Sequence, residues 1–363
     1  MKAKAAIFRK IGEPITIEAV DVADPGPEEV RIRTAACGVC HSDVHFVKGN
    51  IPGPTPTIPG HEPAGVVESV GERVSMVKRG DHVIACTSLF CTACPQCLQG
   101  YPHLCSNRRA CRRGPNDPPR LSLGGKLIHQ FADLSGFAEL MLVHERAVVK
   151  IDDDIPLDRA ALVGCAVTTG VGAALNTAKV HPGSSVAVIG AGGVGISIIQ
   201  GARIAGARQI IAVDLLDSKL EKARGFGATH TVNASSGDTV REIKKLSDGG
   251  VDYAFDAVGS ARLVEQCLYS LAPRGTAVVV GAIPPDQRLD LIPGHFFVEK
   301  RLIGCMMGSN RFHIDAPRYL ELYRQGRLDL DGMVTRRAPL EQVEDAFRAM
   351  EAGEVIRTVL TFD

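Results

Sequence analysis

Apolar and polar positions change their period partway along the chain. Through residues 1–150 the pattern is short alternating runs cut by glycine and proline. VRIRTAAC, GVVESVG and GDHVIAC each read as a strand bounded by turn residues. The stretch from Asn50 to Pro63 (NIPGPTPTIPGHEP) is dense in proline and predicts a rigid loop. This half predicts a compact β-rich domain whose loops carry function. Residues 106–126, SNRRACRRGPNDPPRLSLGGK, are polar and aperiodic, which predicts a surface lobe or long loop.

From about residue 167 strands alternate with helices. SSVAVIG, QIIAVD, VDYAFDAVG and GTAVVVGAI read as buried strands. VGISIIQGARIAGA, DSKLEKARGFGA and ARLVEQCLYSLA read as the helices between them. That alternation predicts right-handed βαβ units and a parallel sheet covered on both faces. The tail adds two helices, APRYLELYRQG and LEQVEDAFRAMEAG, and a last strand, IRTVLTF. The fold class is therefore α/β, and at roughly 100–200 residues per domain the chain makes two or three domains.

Composition narrows the function classes. Hydrophobic residues at 45% and charged residues at 23% are a globular balance. Lys+Arg and Asp+Glu are 41 each, so no net charge favours nucleic acid or an acidic membrane. The segment MKAKAAIFRK has no apolar stretch of a secretory signal. The uncharged run between His181 and Arg203 is long enough to imitate a membrane span. Its five glycines after a β-branched run fit strand, turn and helix better. A cytoplasmic protein without nucleic-acid or membrane partners is expected.

GAGGVG, Gly190 to Gly195, is G-x-G-x-x-G between a strand and a helix, and Asp214 ends the next strand nineteen residues later. That context is the dinucleotide fingerprint. Gly190 permits the tight turn, Gly192 lets backbone approach the pyrophosphate, and Gly195 allows close helix–strand packing. Gly193 and Val194 complete the turn, and the helix N-terminus favours phosphate charge. Asp214 would bond the ribose hydroxyls and repel a 2′-phosphate, so NAD is expected over NADP.

Eleven cysteines without a secretory signal point to metal rather than disulfides. Cys91, Cys94, Cys97 and Cys105 have the spacing C-x2-C-x2-C-x7-C, which suits a closed, structural zinc site. Iron–sulfur clusters use similar spacings. Cys40 in CGVCHSDVH, His61 and Glu62 in PGHEPAG and Cys165 in LVGCAVTTG are weak signals singly, since a lone Cys or His is more often packed than ligating. Together, two thiolates and an imidazole leave zinc a fourth position for water or substrate.

GVCHSD, PGHE, the four-cysteine segment, VGC, GAGGVG and IRTVLTF stand in the order found in the zinc-dependent medium-chain alcohol dehydrogenases. The chain resembles that family, of the class I/III-like branch, over essentially its whole length. The resemblance implies a GroES-like β-rich catalytic domain, residues 1–166 and 307–363. A Rossmann doubly wound parallel-sheet cofactor domain would occupy 167–306. It also implies a homodimer, NAD, and two Zn2+ per chain. Catalytic zinc would sit on Cys40, His61 and Cys165, and structural zinc on Cys91, Cys94, Cys97 and Cys105.

By the same resemblance an alcohol passes hydride to the nicotinamide while zinc acts as Lewis acid. Ser42 takes the alcohol proton, and His45 is the distal member of the relay. Asp43 orients His61, and Glu62 assists ligand exchange from behind the metal. His41 and Arg357 contact the cofactor pyrophosphate, Lys219 the adenosine ribose, and Thr169 packs near the nicotinamide. Ile51, Thr87, Phe131 and Met306 line the substrate pocket, where Thr87 leaves room for a bulky or aromatic alcohol.

Three other readings stay open at this level. One is a class III-type dehydrogenase of S-(hydroxymethyl)glutathione, with Arg109 holding a carboxylate. Against it stand Ile51, where that branch carries an acidic residue, and His45. Another is a nicotinoprotein that retains NAD(H). The third is a catalytically silent relative, which would have no reason to keep an open metal site.

Overall fold

A computed structural model describes residues 1–114 and 116–362. The chain divides into two compact units. The first comprises Met1–Cys165, Arg311–Arg324 and Leu330–Asp363, and the second Ala166–Asn310 with Gln325–Asp329.

The first unit is built on a seven-stranded sheet. Its order runs Val148–Ile151, His82–Ala85, Glu62–Val70, Glu29–Gly38, Arg357–Thr361 and Val334–Pro339, with Leu140–His144 also on Glu29–Gly38. The last strand of the chain thus returns to pair beside the third. A four-stranded sheet joins Lys2–Ile7, Thr16–Val22, Leu121–Leu123 and Lys126–Leu127. Two apolar clusters hold this unit, one around Ile7, Ile58, Phe137 and Leu360, the other around Ile32, Leu89, Met141 and Val143.

The second unit carries a six-stranded sheet, wholly parallel. Its order is His230–Asn233, Gln209–Asp214, Ser185–Ile189, Val251–Asp256, Leu271–Val279 and Arg301–Gly304. That is the doubly wound order 3-2-1-4-5-6, which places a crevice where the order reverses, at the carboxyl ends of Ser185–Ile189 and Val251–Asp256. The uncharged run resolves into the strand Ser185–Ile189 and the helix Gly193–Ile204. Among the described residues no single helix is long and apolar enough to cross a membrane.

Of the surface lobe or long loop expected at 106–126, the structure shows a segment with some regular elements of its own. It contains a 3-10 turn, Arg108–Cys111, and most of a β-ribbon, Leu121–Leu123 with Lys126–Leu127, that extends the N-terminal sheet. Their order comes from charge rather than apolar periodicity. Arg113 and Arg120 fold back onto Glu29, which is 5% exposed. The helix read from APRYLELYRQG begins earlier, at Phe312, and runs through Pro317 to Arg324.

Candidate functional site

Two neighbouring strand ends and one turn build the first site. Gly38 pairs with Glu62 across the antiparallel strands, so Cys40 and His61 emerge side by side. A Cβ on Gly164 would stand 2.5 Å from the Ala85 carbonyl, and this close approach delivers Cys165. The ligand atoms of Cys40, His61 and Cys165 lie within 4.8 Å of one another, and all three residues are buried.

The donors are ordered from behind. Asp43, fully buried, accepts hydrogen bonds at Oδ1 from the Gly60 amide (3.0 Å) and from His61 Nδ1 (2.9 Å). His61 thereby presents Nε2 toward the Cys40 side, and such a carboxylate–imidazole pair fixes both ring tautomer and aim. Oδ2 of Asp43 accepts from the Cys40 amide, closing the first turn of the helix His41–Val47. The Cys40 thiol is held well below its ordinary range by the hydrogen bond from Cys165, against burial and with help from the charges of Arg357 and His61. Two thiols and an oriented imidazole within bonding reach of one point fit a zinc ion with one open position.

Ser42 and His45 follow on that helix, three residues apart and so on one face. Ser42 Oγ is 4.0 Å from Cys40 Sγ, and His45 Nδ1 is 3.2 Å from the Asn50 side-chain amide. His41 is exposed, its ring 6.5 Å from that of His45. Ile51, Thr87 and Phe131 are half-buried in this unit. The Phe131 ring meets His61 edge-on at 5.6 Å and stacks on Phe46 at 4.6 Å.

Arg357, expected by the resemblance at the cofactor pyrophosphate, lies buried in the first unit. Its side chain is 3% exposed, donates to the Val39 carbonyl (2.9 Å) and pairs with Glu62 at 3.3 Å. Glu62 is in turn pressed against Gly38, where a Cβ would stand 1.9 Å from its Oε2. Neither the Arg357–Glu62 pair nor the Gly38 requirement was legible from spacing, because the partners lie 295 positions apart.

Cys91, Cys94, Cys97 and Cys105 form the second cluster of the first unit, again with sulfurs within 4.8 Å. The Cys94 amide donates to Cys91 Sγ and the Cys91 amide to Cys105 Sγ, both at 3.3 Å. The Cys97 amide draws the Cys94 thiol down to about 5. Four sulfurs with no open position fit a structural zinc.

In the second unit Gly190 has φ 99°, and a Cβ on Gly195 would stand 1.7 Å from the Gly190 carbonyl. Gly192 differs: nothing lies within 4 Å of where its Cβ would be. This open cradle faces the start of Gly193–Ile204 and suits a diphosphate. Asp214 Oδ2 accepts from the Ala191 amide, and Oδ1 from those of Leu215 and Leu216. Lys219 is half-exposed on the next helix, Asp217–Gly225. Thr169 donates to the Met307 sulfur at 3.5 Å, and Met306 is 46% exposed.

Residues 26–153 match the alcohol dehydrogenase GroES-like domain, and residues 193–324 match the zinc-binding dehydrogenase family. An alcohol dehydrogenase zinc-binding domain protein from Burkholderia ambifaria is 34% identical, covering 100% of this chain and 99% of its own, with a TM-score of 0.95. Benzyl alcohol dehydrogenase from Acinetobacter calcoaceticus is 30% identical over 100% of both chains, TM-score 0.94. An alcohol dehydrogenase from Thermus is 27% identical over 99% of both, TM-score 0.83. With a GroES-like part, a doubly wound part and two clusters of zinc-type donors, the chain belongs to the zinc-binding medium-chain alcohol dehydrogenase family.

Proposed function

We propose that the protein oxidises an uncharged, bulky or aromatic alcohol with NAD, reversibly, to the aldehyde or ketone. The observation that carries this reading is the triad Cys40, His61 and Cys165, buried with its ligand atoms within 4.8 Å of one another and with the His61 ring aimed by Asp43. These residues would hold a catalytic zinc, which supplies Lewis acidity toward an alcohol oxygen. The Gly190–Gly195 turn and Asp214 would hold NAD, the hydride acceptor.

The chain's own groups do the rest. Asp43 holds the His61 proton on Nδ1 and so keeps Nε2 available. Ser42 Oγ accepts the alcohol proton, and His45, on the same helix face, passes it to solvent. The buried Arg357–Glu62 pair fixes charge directly behind Cys40 and Cys165. The proposed domains are catalytic residues 1–166 and 307–363 and cofactor residues 167–306; the compact units differ from them in grouping 166, 307–310 and 325–329 with the cofactor part.

The glutathione-adduct reading is disfavoured by Ile51 and His45, on the sequence alone. Arg109 is exposed, and the arginines around Phe131 are spent on Asp133 and Glu29. A homodimer is supported by the edge strand Arg301–Gly304 and by exposed Ile292, Phe296 and Phe297, the last 90% exposed, on the preceding segment; light scattering reads the mass. The deciding experiment is a steady-state screen of ethanol, benzyl alcohol and larger alcohols with NAD, with and without glutathione. It is run from pH 6 to 10 on wild type and His45→Gln. We expect glutathione-independent turnover favouring benzyl alcohol, with a His45→Gln defect greatest at low pH, where hydroxide is scarce. Turnover only with the glutathione adduct would overturn the reading, and a pH-independent defect would remove His45 from the relay.

A further inference from the structure

The strand Leu140–His144 runs antiparallel to Glu29–Gly38 with His144 opposite Glu29, so His144 ends its strand beside the loop 23–29. The Glu145 amide donates to the Glu28 carbonyl at 2.9 Å and closes that end. Between this loop and the segment 110–120 lies a cavity of about 550 Å³, lined in part by Pro27, Glu28, Arg73, Pro118 and His144. It lies wholly in the first unit and has none of the metal, relay or cofactor residues in its lining. Its walls are pinned by the chain itself. Arg113 donates to the Asp24 carbonyl (2.7 Å) and to the Pro118 carbonyl (2.8 Å), and Arg120 to the Cys111 carbonyl (2.9 Å). Walls fixed in this way make a preformed cavity, and its volume is in the range that takes a small organic molecule.

His144 brings an unmet demand to this cavity. It is 4% exposed, and its Nδ1 accepts the Arg146 amide hydrogen at 3.2 Å. The proton of the neutral ring therefore stands on Nε2. Burial, with the Arg146 charge, holds the ring below its ordinary range and so in that neutral form. Among the described residues Nε2 has no hydrogen-bond partner. It faces Glu28, whose Oε2 is 3.8 Å away. The same carboxylate has Arg146 Nη2 at 3.9 Å and Arg73 Nη2 at 4.0 Å, so none of the three donors reaches bonding distance.

These atoms select an occupant by chemistry. A protonated Nε2 has no lone pair for a metal ion. It can donate to an oxygen, and Glu28 can accept a hydrogen from that same oxygen. A hydroxyl does both from one atom. A carboxylate or phosphate would instead set a second negative charge against Glu28. The other charges around the cavity are largely spent: Arg113 and Arg120 pair with Glu29, Arg112 with Asp133 and Asp24 with Arg31. We infer that this cavity binds a neutral polyhydroxylated molecule of the sugar or polyol class, with one hydroxyl bridging His144 Nε2 and Glu28. The inference stands apart from the alcohol-oxidation reading, because it uses none of the residues placed in that chemistry.

The test is run on the zinc-loaded full chain with glycerol, xylitol, glucose and trehalose as probes, and acetate and phosphate as charged controls. Polyols stabilise proteins generally by exclusion from their surface, so a raised melting temperature does not discriminate. The readout is saturable binding by calorimetry, with the 15N–1H signal of the His144 imidazole as the local reporter. His144→Gln assigns that signal among the eleven histidines. At least one polyol is expected to bind once per chain and to shift the His144 signal. Its affinity should fall roughly tenfold in His144→Phe, which keeps a ring without the donor, and in Glu28→Ala, which removes the acceptor. Glu28 is half-exposed, so the second variant keeps the test if His144→Phe does not fold. Binding by no polyol, with the His144 signal unmoved, would mean that solvent alone fills the cavity and overturns the inference. Binding undiminished in the folded variants overturns it too, as does tighter binding of acetate or phosphate than of every polyol.

Discussion

Asp214 ends its strand with both carboxylate oxygens engaged by backbone amides, Oδ2 by Ala191 and Oδ1 by Leu215 and Leu216. It thereby ties the glycine turn to the strand end before any ligand is present. What lone-pair capacity remains is negative and suits ribose hydroxyls, not a 2′-phosphate. NAD should therefore be used at least tenfold better than NADP, a difference of about 1.4 kcal/mol. Asp214→Gly should reduce or reverse that preference, and it should also loosen residues 190–195 to amide exchange, because three N–H groups lose their acceptor. Equal kcat/KM for the two cofactors in the wild type would refute the assignment. At this scale the sequence was readable wherever a role follows from residue type and spacing, as at Gly190, Gly195 and the four clustered cysteines. It did not show the pairing of Arg357 with Glu62, which is set by the return of the last strand beside Glu29–Gly38.

Among the elements, the segment from Cys91 to Cys105 has the least to hold it. It contains a four-residue helix, Pro95–Leu98, and a three-residue 3-10 turn, Pro102–Leu104. Its buried cluster is Cys91, Cys94 and Cys105, with only Phe90 and Cys97 packed against them. Helices this short do not persist without tertiary support, so a metal held by the four cysteines would be the core of the element and its binding energy would be its folding energy. Cys94→Ala should lower zinc from two to one per chain by elemental analysis, reduce thermal stability and open residues 91–105 to proteolysis. Cys40→Ala should also give one zinc, but with turnover lost and the segment still protected. Full zinc and unaltered proteolysis in Cys94→Ala would rule out the structural site. Strands and βαβ units were legible because apolar periodicity specifies them directly. The ribbon after Cys105 was not, because its order depends on Arg113 and Arg120 reaching Glu29, more than eighty positions away, and such pairing leaves no period in the sequence.

That distant pairing sets how the molecule as a whole meets acid. Burial pushes the Glu29 carboxyl up, but the Arg113 hydrogen bond, the Arg120 charge and the Gly26 amide outweigh it and hold the group below its ordinary value. Asp158 in the same unit is likewise held low, burial being outweighed by Arg159 and Arg337. A carboxyl with a depressed folded pKa contributes stability that is complete above its unfolded pKa, about 4.3 for Glu. That contribution disappears as pH falls through the lower folded value. In the second unit Asp256 has the opposite sign: burial raises its carboxyl despite the Gly259 and Val258 amides, so acidification relieves a cost there. The two units should therefore separate in acid. Below about pH 4, amide protection should fall first in the seven-stranded sheet around Glu29–Gly38 and persist longer in the six-stranded parallel sheet. Glu29→Gln leaves two arginines facing a neutral amide and should cost about 3 kcal/mol at pH 7 by urea unfolding. The gap between it and the wild type should close as pH drops through the same range, since protonation removes the charge from the native protein too. A gap constant from pH 7 to 3, or loss of protection in the parallel sheet first, would mean that packing rather than the Glu29 ion pairs governs acid stability.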